Sequence, residues 1–177
     1  MTGIFVNYRT HDAMFGADLI DERLRADFGA RHVFRDHRSV RPGTAFPPEL
    51  WTRLQGSHVL LTLIGPYWLS VLDDQGRRRL DDPRDYVRRE IRRALRWEIP
   101  VVPVLLGDTP LPDPPAVPED IRGLCERAGV RVRSHSAGPD LDALVAEVSA
   151  LLPADLAVRR SPQVPAAVLR GAAHPAP

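Results

Sequence analysis

Three stretches of the chain are apolar at successive rather than alternating positions: residues 4–8 (IFVNY), 58–64 (HVLLTLI) and 101–106 (VVPVLL). Strands buried on both faces read this way. Residues 33–35 and 130–133 are two shorter candidates. Between the strands the apolar positions recur at helical spacing. Ala13, Leu19, Ile20 and Leu24 share one stripe, Val87, Ile91, Ala94 and Leu95 a second, and Leu141, Leu144, Val145, Val148 and Leu152 a third. A helix is expected after every strand, and short strands alternating with helices pair in parallel through right-handed crossovers. The pattern predicts an α/β fold, a doubly wound sheet of five parallel strands flanked by helices, in flavodoxin-like strand order.

Three segments break the periodicity and read as surface loops: 36–48 (DHRSVRPGTAFPP), 73–85 (DDQGRRRLDDPRD) and 107–118 (GDTPLPDPPAVP), the last too proline-rich for helix or central strand. After Leu152 the text turns into a Pro/Ala/Arg mixture without sustained period. The expected organisation is one domain over residues 1–152 and a linker or disordered tail over 153–177. With 177 residues and 44% hydrophobic positions, the chain can bury one core of ordinary size.

Charge narrows the chemistry. The 24 cationic residues are all arginine, so no lysine is present to serve a phosphate-binding loop, a Schiff base or a general base. A formal charge of +1 gives no support to a nucleic-acid partner. The single cysteine, Cys125, has no intramolecular disulfide partner, and the start MTGIFVNYRTHD has neither a basic segment nor a long apolar one. No apolar run approaches the roughly 20 residues that span a bilayer. A cytoplasmic protein with no membrane association is expected.

In open parallel sheets the ligand crevice lies beyond the carboxyl ends of the strands, which directs attention to residues 8–12, 35–46, 65–68 and the segment from Gly107. The first of these turns contains no glycine, which argues against a dinucleotide held by a G-x-G-x-x-G turn. Neither G-x-S-x-G nor H-E-x-x-H occurs, and the six histidines show no metal-ligand spacing. No metal and no resident cofactor are expected.

The residues at these positions resemble a Toll/interleukin-1 receptor (TIR) domain of the bacterial type over roughly residues 3–152. The resemblance is carried by Ile4-Phe5-Val6-Asn7-Tyr8-Arg9, where the family usually has serine at the position of Asn7, and by Val33-Phe34-Arg35-Asp36. It continues through the loop ending Pro42-Gly43-Thr44-Ala45-Phe46, the run LLTLIGPYW up to Trp68, and Tyr86-Val87-Arg88-Arg89-Glu90-Ile91. TIR domains are either adaptor modules that assemble with one another or enzymes that cleave NAD. The enzymatic branch carries a glutamate on its third helical region with an aromatic residue, usually tryptophan, four positions earlier. Glu90 and Tyr86 stand at those positions here, one helical turn apart.

The resemblance therefore implies an NAD glycohydrolase or ADP-ribosyl cyclase with Glu90 as catalytic residue, NAD as substrate rather than cofactor, and substrate contacts from Tyr8, Arg9, Asp36, Phe46, Trp68 and Tyr86. Each position has a plainer reading beside it. Glu90, flanked by Arg88, Arg89, Arg92 and Arg93, can be a solvated surface acid. Tyr8 and Arg9 can merely pack and pair, Asp36 can cap its loop, Phe46 can anchor the loop in the core, and Trp68 can pack under the third helix. Self-association through the loop after strand two is implied, in an anti-phage defence effector whose sensor domain or partner protein lies outside this chain. A noncatalytic TIR–TIR assembly module and a virulence factor mimicking host TIR domains are the alternatives.

Overall fold

The computed structural model describes residues 3–35 and 48–156, with the side chain of Pro48 left out. Five strands, β1 (Ile4–Asn7), β2 (Val33–Arg35), β3 (Val59–Ile64), β4 (Val101–Leu106) and β5 (Val130–Val132), form one sheet in the order β2-β1-β3-β4-β5. Every pairing is parallel, with Phe5 opposite Phe34 and Leu60, and Asn7 opposite Thr62. Strand order, parallel pairing and the continuous burial of β1 and β3 are those that the successive apolar positions predict. Residues from both sides of the sheet contribute to the buried core.

Alternation along β1 divides the molecule. Ile4 and Val6 face a cluster built with helices α1 (Thr10–Phe28) and α4 (Ala137–Leu151), through Ala17, Ile20, Leu24, Leu144 and Val148. Phe5 faces the opposite cluster, built with α2 (Pro48–Gln55) and α3 (Tyr86–Arg96), through Leu50, Leu54, Trp68, Val87, Ile91 and Ala94. Burying side chains of this size contributes roughly 1.5–3 kcal/mol each. In α1 the buried stripe runs through Ala17 and not through Leu19, which is 40% exposed.

The expected helix between β4 and β5 is absent as an α-helix. A six-residue 3-10 segment, Glu119–Leu124, takes its place, entered through Pro118 after a second short turn at Pro114–Ala116. Prolines at 114, 115 and 118 remove the amide donors that a longer helix here would need. Loop 73–85 holds a 3-10 turn at Arg79–Asp81 and an isolated antiparallel bridge between Leu72 and Arg78. At the C-terminal side the packed region passes the expected boundary at 152, because Leu156 lies against the α1/α4 cluster. No described helix is long and apolar enough to cross a membrane.

Candidate functional site

Helix α3 begins with a side-chain cap. The Asp85 carboxylate accepts a hydrogen bond from the Arg88 backbone N–H at 3.0 Å, satisfying one of the free amides of the first turn. The same carboxylate receives both terminal nitrogens of Arg9, at 2.9 and 3.0 Å, in a pair whose side chains are 4% and 3% exposed. Arg9 lies two residues beyond the end of β1, so this bidentate contact ties the carboxyl end of the central strand to the first turn of α3.

From that start the helix buries Val87, Glu90, Ile91 and Ala94. Glu90 stands at i+3 of the apolar stripe and is 5% exposed. The structure thus removes the solvated-surface reading of this residue. Its Oε2 accepts a hydrogen bond from Asn7 Nδ2 at 2.6 Å, and the same amide donates to the Val87 carbonyl at 3.3 Å. Asn7 is the last residue of β1, so the Glu90 carboxylate sits at the carboxyl end of the sheet, where open parallel sheets place their ligands.

The other expected contacts are distributed differently. Tyr86, one turn before Glu90, is half-buried, with the Arg89 guanidinium 5.8 Å from its ring centre. Arg89 and Arg93 also lie over the Trp51 ring of α2, at 5.0 and 3.7 Å, forming an arginine–tryptophan layer beside the site. Desolvation and the neighbouring Arg89 and Arg92 charges push the Arg93 pKa down.

Tyr8 follows Val6 in the strand's alternation and packs with the α1/α4 cluster, under the Arg35 guanidinium at 4.6 Å. That places its ring on the opposite side of the sheet from Glu90. Arg9 is turned inward onto Asp85, with its guanidinium 5.9 Å from the Trp68 ring centre, rather than out toward a ligand. Trp68 is 1% exposed and packs in the α2/α3 cluster, so its ring is part of the core and presents no face to a pocket. Asp36 and Phe46 lie outside the described residues.

Two residues of this arrangement escape the sequence reading. Asn7 enters there only as a departure from serine, although alternation from Phe5 would have put it on the α3 face. Asp85 gives no local sign of its pairing, since its partner lies 76 positions away.

Asp12 joins two turns at the carboxyl end of the sheet. Its carboxylate accepts the backbone N–H groups of Gly65 and Tyr67 at 2.9 and 2.7 Å, fastening the first turn of α1 to the loop after β3. A Cβ at Gly65 would stand 2.6 Å from that carboxylate, so the contact requires glycine. On the α1 side lies an open, largely apolar recess of about 700 Å³, lined among others by Asp12, Phe15, Leu19, Leu106, Pro110 and Arg133. Glu90 does not border it. Among the described residues no group of three or more His, Cys, Asp or Glu side chains is placed to hold a metal ion.

Among curated proteins, none matches the chain. Among solved structures, the chain is similar to the TIR domains of the activated Roq1 resistosome directly recognizing the pathogen effector XopQ. The TM-score is 0.54 at 14% identity, over 84% of this chain and 99% of that one. At this identity the likeness establishes the fold. A family model described as TIR domain matches residues 4–143, from β1 into α4, and includes Asn7, Arg9, Asp85 and Glu90. By that match, over a sheet with the strand order and helices found here, the chain belongs to the TIR domain family.

Proposed function

We propose that the chain cleaves the nicotinamide–ribose bond of NAD, with Glu90 as the catalytic carboxylate. The observation that carries this reading is the burial of Glu90 on an otherwise apolar helix face, at the carboxyl end of the central strand and within 2.6 Å of an amide donor. An ionisable group set among apolar side chains opposes stability unless it is bonded there, and such positions are characteristic of groups kept for chemistry.

The reaction suits a lone carboxylate. The nicotinamide of NAD is a cationic ring, so when its bond to the ribose C1′ breaks, both electrons stay on the ring nitrogen and the group departs neutral. No general acid is required, in contrast to glycosidases that protonate an oxygen leaving group. Positive charge develops on the ribose instead, and an anion near its hydroxyls in a water-poor site stabilises that charge. Attack on C1′ by water then yields ADP-ribose and a proton, whereas attack by the adenine of the same molecule yields a cyclic isomer. In this reading Tyr86, half-buried and one turn from Glu90, stacks on a base and biases that choice. NAD is thus substrate, no cofactor is needed, and a cytoplasmic anti-phage effector activated by assembly is the setting we propose.

Glu90→Gln tests the assignment. Glutamine is isosteric and retains an oxygen that accepts from Asn7, so the fold is expected to survive while nicotinamide release is lost.

Assembly between copies is the second reading, favoured by the α1 side. Phe15 is 89% exposed and Met14 45%, both at the recess that Leu106 and Pro110 help to line. Exposed apolar side chains grouped at a recess suit contact with another protein surface, and a second copy of this chain is the partner we propose. The structural relative is itself a set of TIR domains in a resistosome. Light scattering of Phe15→Asp against the wild type is expected to show weaker self-association, with the same mass at every concentration for both proteins as the contrary result.

A further inference from the structure

We infer that Asn7 is a positioning residue for the Glu90 carboxylate, an inference that rests on the NAD-cleaving reading of Glu90. Asn7 is 1% exposed, and its Nδ2 spans two acceptors of neighbouring positions on α3, the Val87 carbonyl at 3.3 Å and Glu90 Oε2 at 2.6 Å. The chemistry fixes which way the amide faces. Both neighbours are acceptors only, so the NH2 must point at them; turned over, Oδ1 would oppose a carbonyl and a carboxylate. One side chain thereby anchors the backbone of α3 and the carboxylate it carries to the same point of β1. The Glu90 side chain is held to the sheet, not only to its own helix.

Packing alone does not explain an asparagine at this place. The surrounding cluster is apolar, with Phe5, Leu60 and Ile64 on the same face of the sheet. Asn7 Oδ1 is buried without a hydrogen-bond partner, as is the hydroxyl of Thr62, its neighbour in register. Burying an unpartnered carbonyl opposes folding, and an aliphatic residue here would avoid that cost. What the amide supplies and an aliphatic side chain does not is a neutral donor to the carboxylate. A donor at 2.6 Å restricts the rotation of the Glu90 carboxylate and fixes the oxygen that must face a developing cation. Aspartate at position 7, equal in shape, would set a second carboxylate against the first.

Asn7 is the only asparagine in the sequence, which makes the contact directly observable. Asparagine-selective 15N labelling of the full chain gives a single side-chain NH2 pair. Glu90→Gln, which replaces a charged acceptor by a neutral one, is expected to move that pair upfield. In turnover assays, Asn7→Leu and Asn7→Ser are expected to lower kcat for nicotinamide release on the order of tenfold to a hundredfold, the scale of a misplaced reacting group. KM for NAD should stay within about twofold, because the amide itself does not touch the substrate. Wild-type kcat in a folded Asn7→Leu protein, or an Asn7 amide signal that ignores Glu90→Gln, would overturn the inference. Should the position 7 variants fail to fold, the resonance on otherwise unaltered chain still decides. A responsive amide in a wild type that releases no nicotinamide supports the bond and overturns the NAD reading. A silent amide in an active wild type does the reverse.

Discussion

Arg9→Met separates two roles for a residue that the sequence places beside the substrate and the structure turns inward. Methionine keeps an apolar stem in the place of the arginine stem but removes the guanidinium, with its charge, its approach to Trp68 and both bonds to Asp85. Asp85, 7% exposed with Arg9 in place, would keep only the Arg88 amide on one oxygen and Arg79 3.7 Å from the other. Removing one partner of a buried, hydrogen-bonded ion pair costs about 3–5 kcal/mol, because the remaining charge is stranded. Arg79 moderates this, so the expected loss is about 3 kcal/mol. At roughly 2–4 °C per kcal/mol for a domain of this size, Tm falls by about 6–12 °C. Urea denaturation followed by circular dichroism should show a lower midpoint with an unchanged slope. Arg9→Met/Asp85→Asn is expected to cost less than the two single changes summed, by about 1–3 kcal/mol, since the double variant buries neither charge. A loss below about 0.5 kcal/mol in Arg9→Met, the level of an ordinary surface substitution, would refute the tie between β1 and α3. If KM for NAD rose at the same time, substrate contact would be the correct role.

The remaining expectations test other joints of the structure. Gly65→Ala forces a Cβ against the Asp12 carboxylate and should cost about 1–3 kcal/mol in chemical denaturation, a cost that shrinks in an Asp12→Ala background where nothing is displaced. Trp68→Ala should lose about 3–5 kcal/mol as a core truncation. Trp68→Phe, in a folded protein, should leave KM for NAD unchanged, since the indole is buried. Asp140 is held below the usual carboxylate range by the Ser136 hydroxyl and then by the Arg133 backbone N–H. A depressed folded pKa gives stability that is present above the ordinary value of 3.8 and lost as pH falls through the folded one. Wild type and Asp140→Asn should therefore differ in midpoint at neutral pH and converge as the solution is acidified through that window.

The sheet was legible because strands buried on both faces leave an unmistakable apolar run, and residues 58–64 and 101–106 needed nothing further. The segment between β4 and β5 was not, because apolar spacing is shared by α and 3-10 segments while the prolines at 114, 115 and 118 decide between them. Glu90 could be located from its i+3 place on the Val87–Ile91 stripe as well as from the family resemblance. Tyr8 illustrates how a strand misleads: adjacent residues point to opposite faces, so its neighbour Asn7 reaches Glu90 and Tyr8 does not. The pairing of Arg9 with Asp85 has no sequence signal at all, since it depends on the sheet bringing the end of β1 to the start of α3.

The most direct measurement is release of nicotinamide from NAD by wild type and Glu90→Gln, at protein concentrations or under artificial clustering that promote self-association, with both proteins shown to be folded. The expected result is release by the wild type that rises more steeply than protein concentration, and none above background from Glu90→Gln. Release at the wild-type rate from folded Glu90→Gln, or none from clustered wild type, would contradict an NAD-cleaving role for the buried carboxylate.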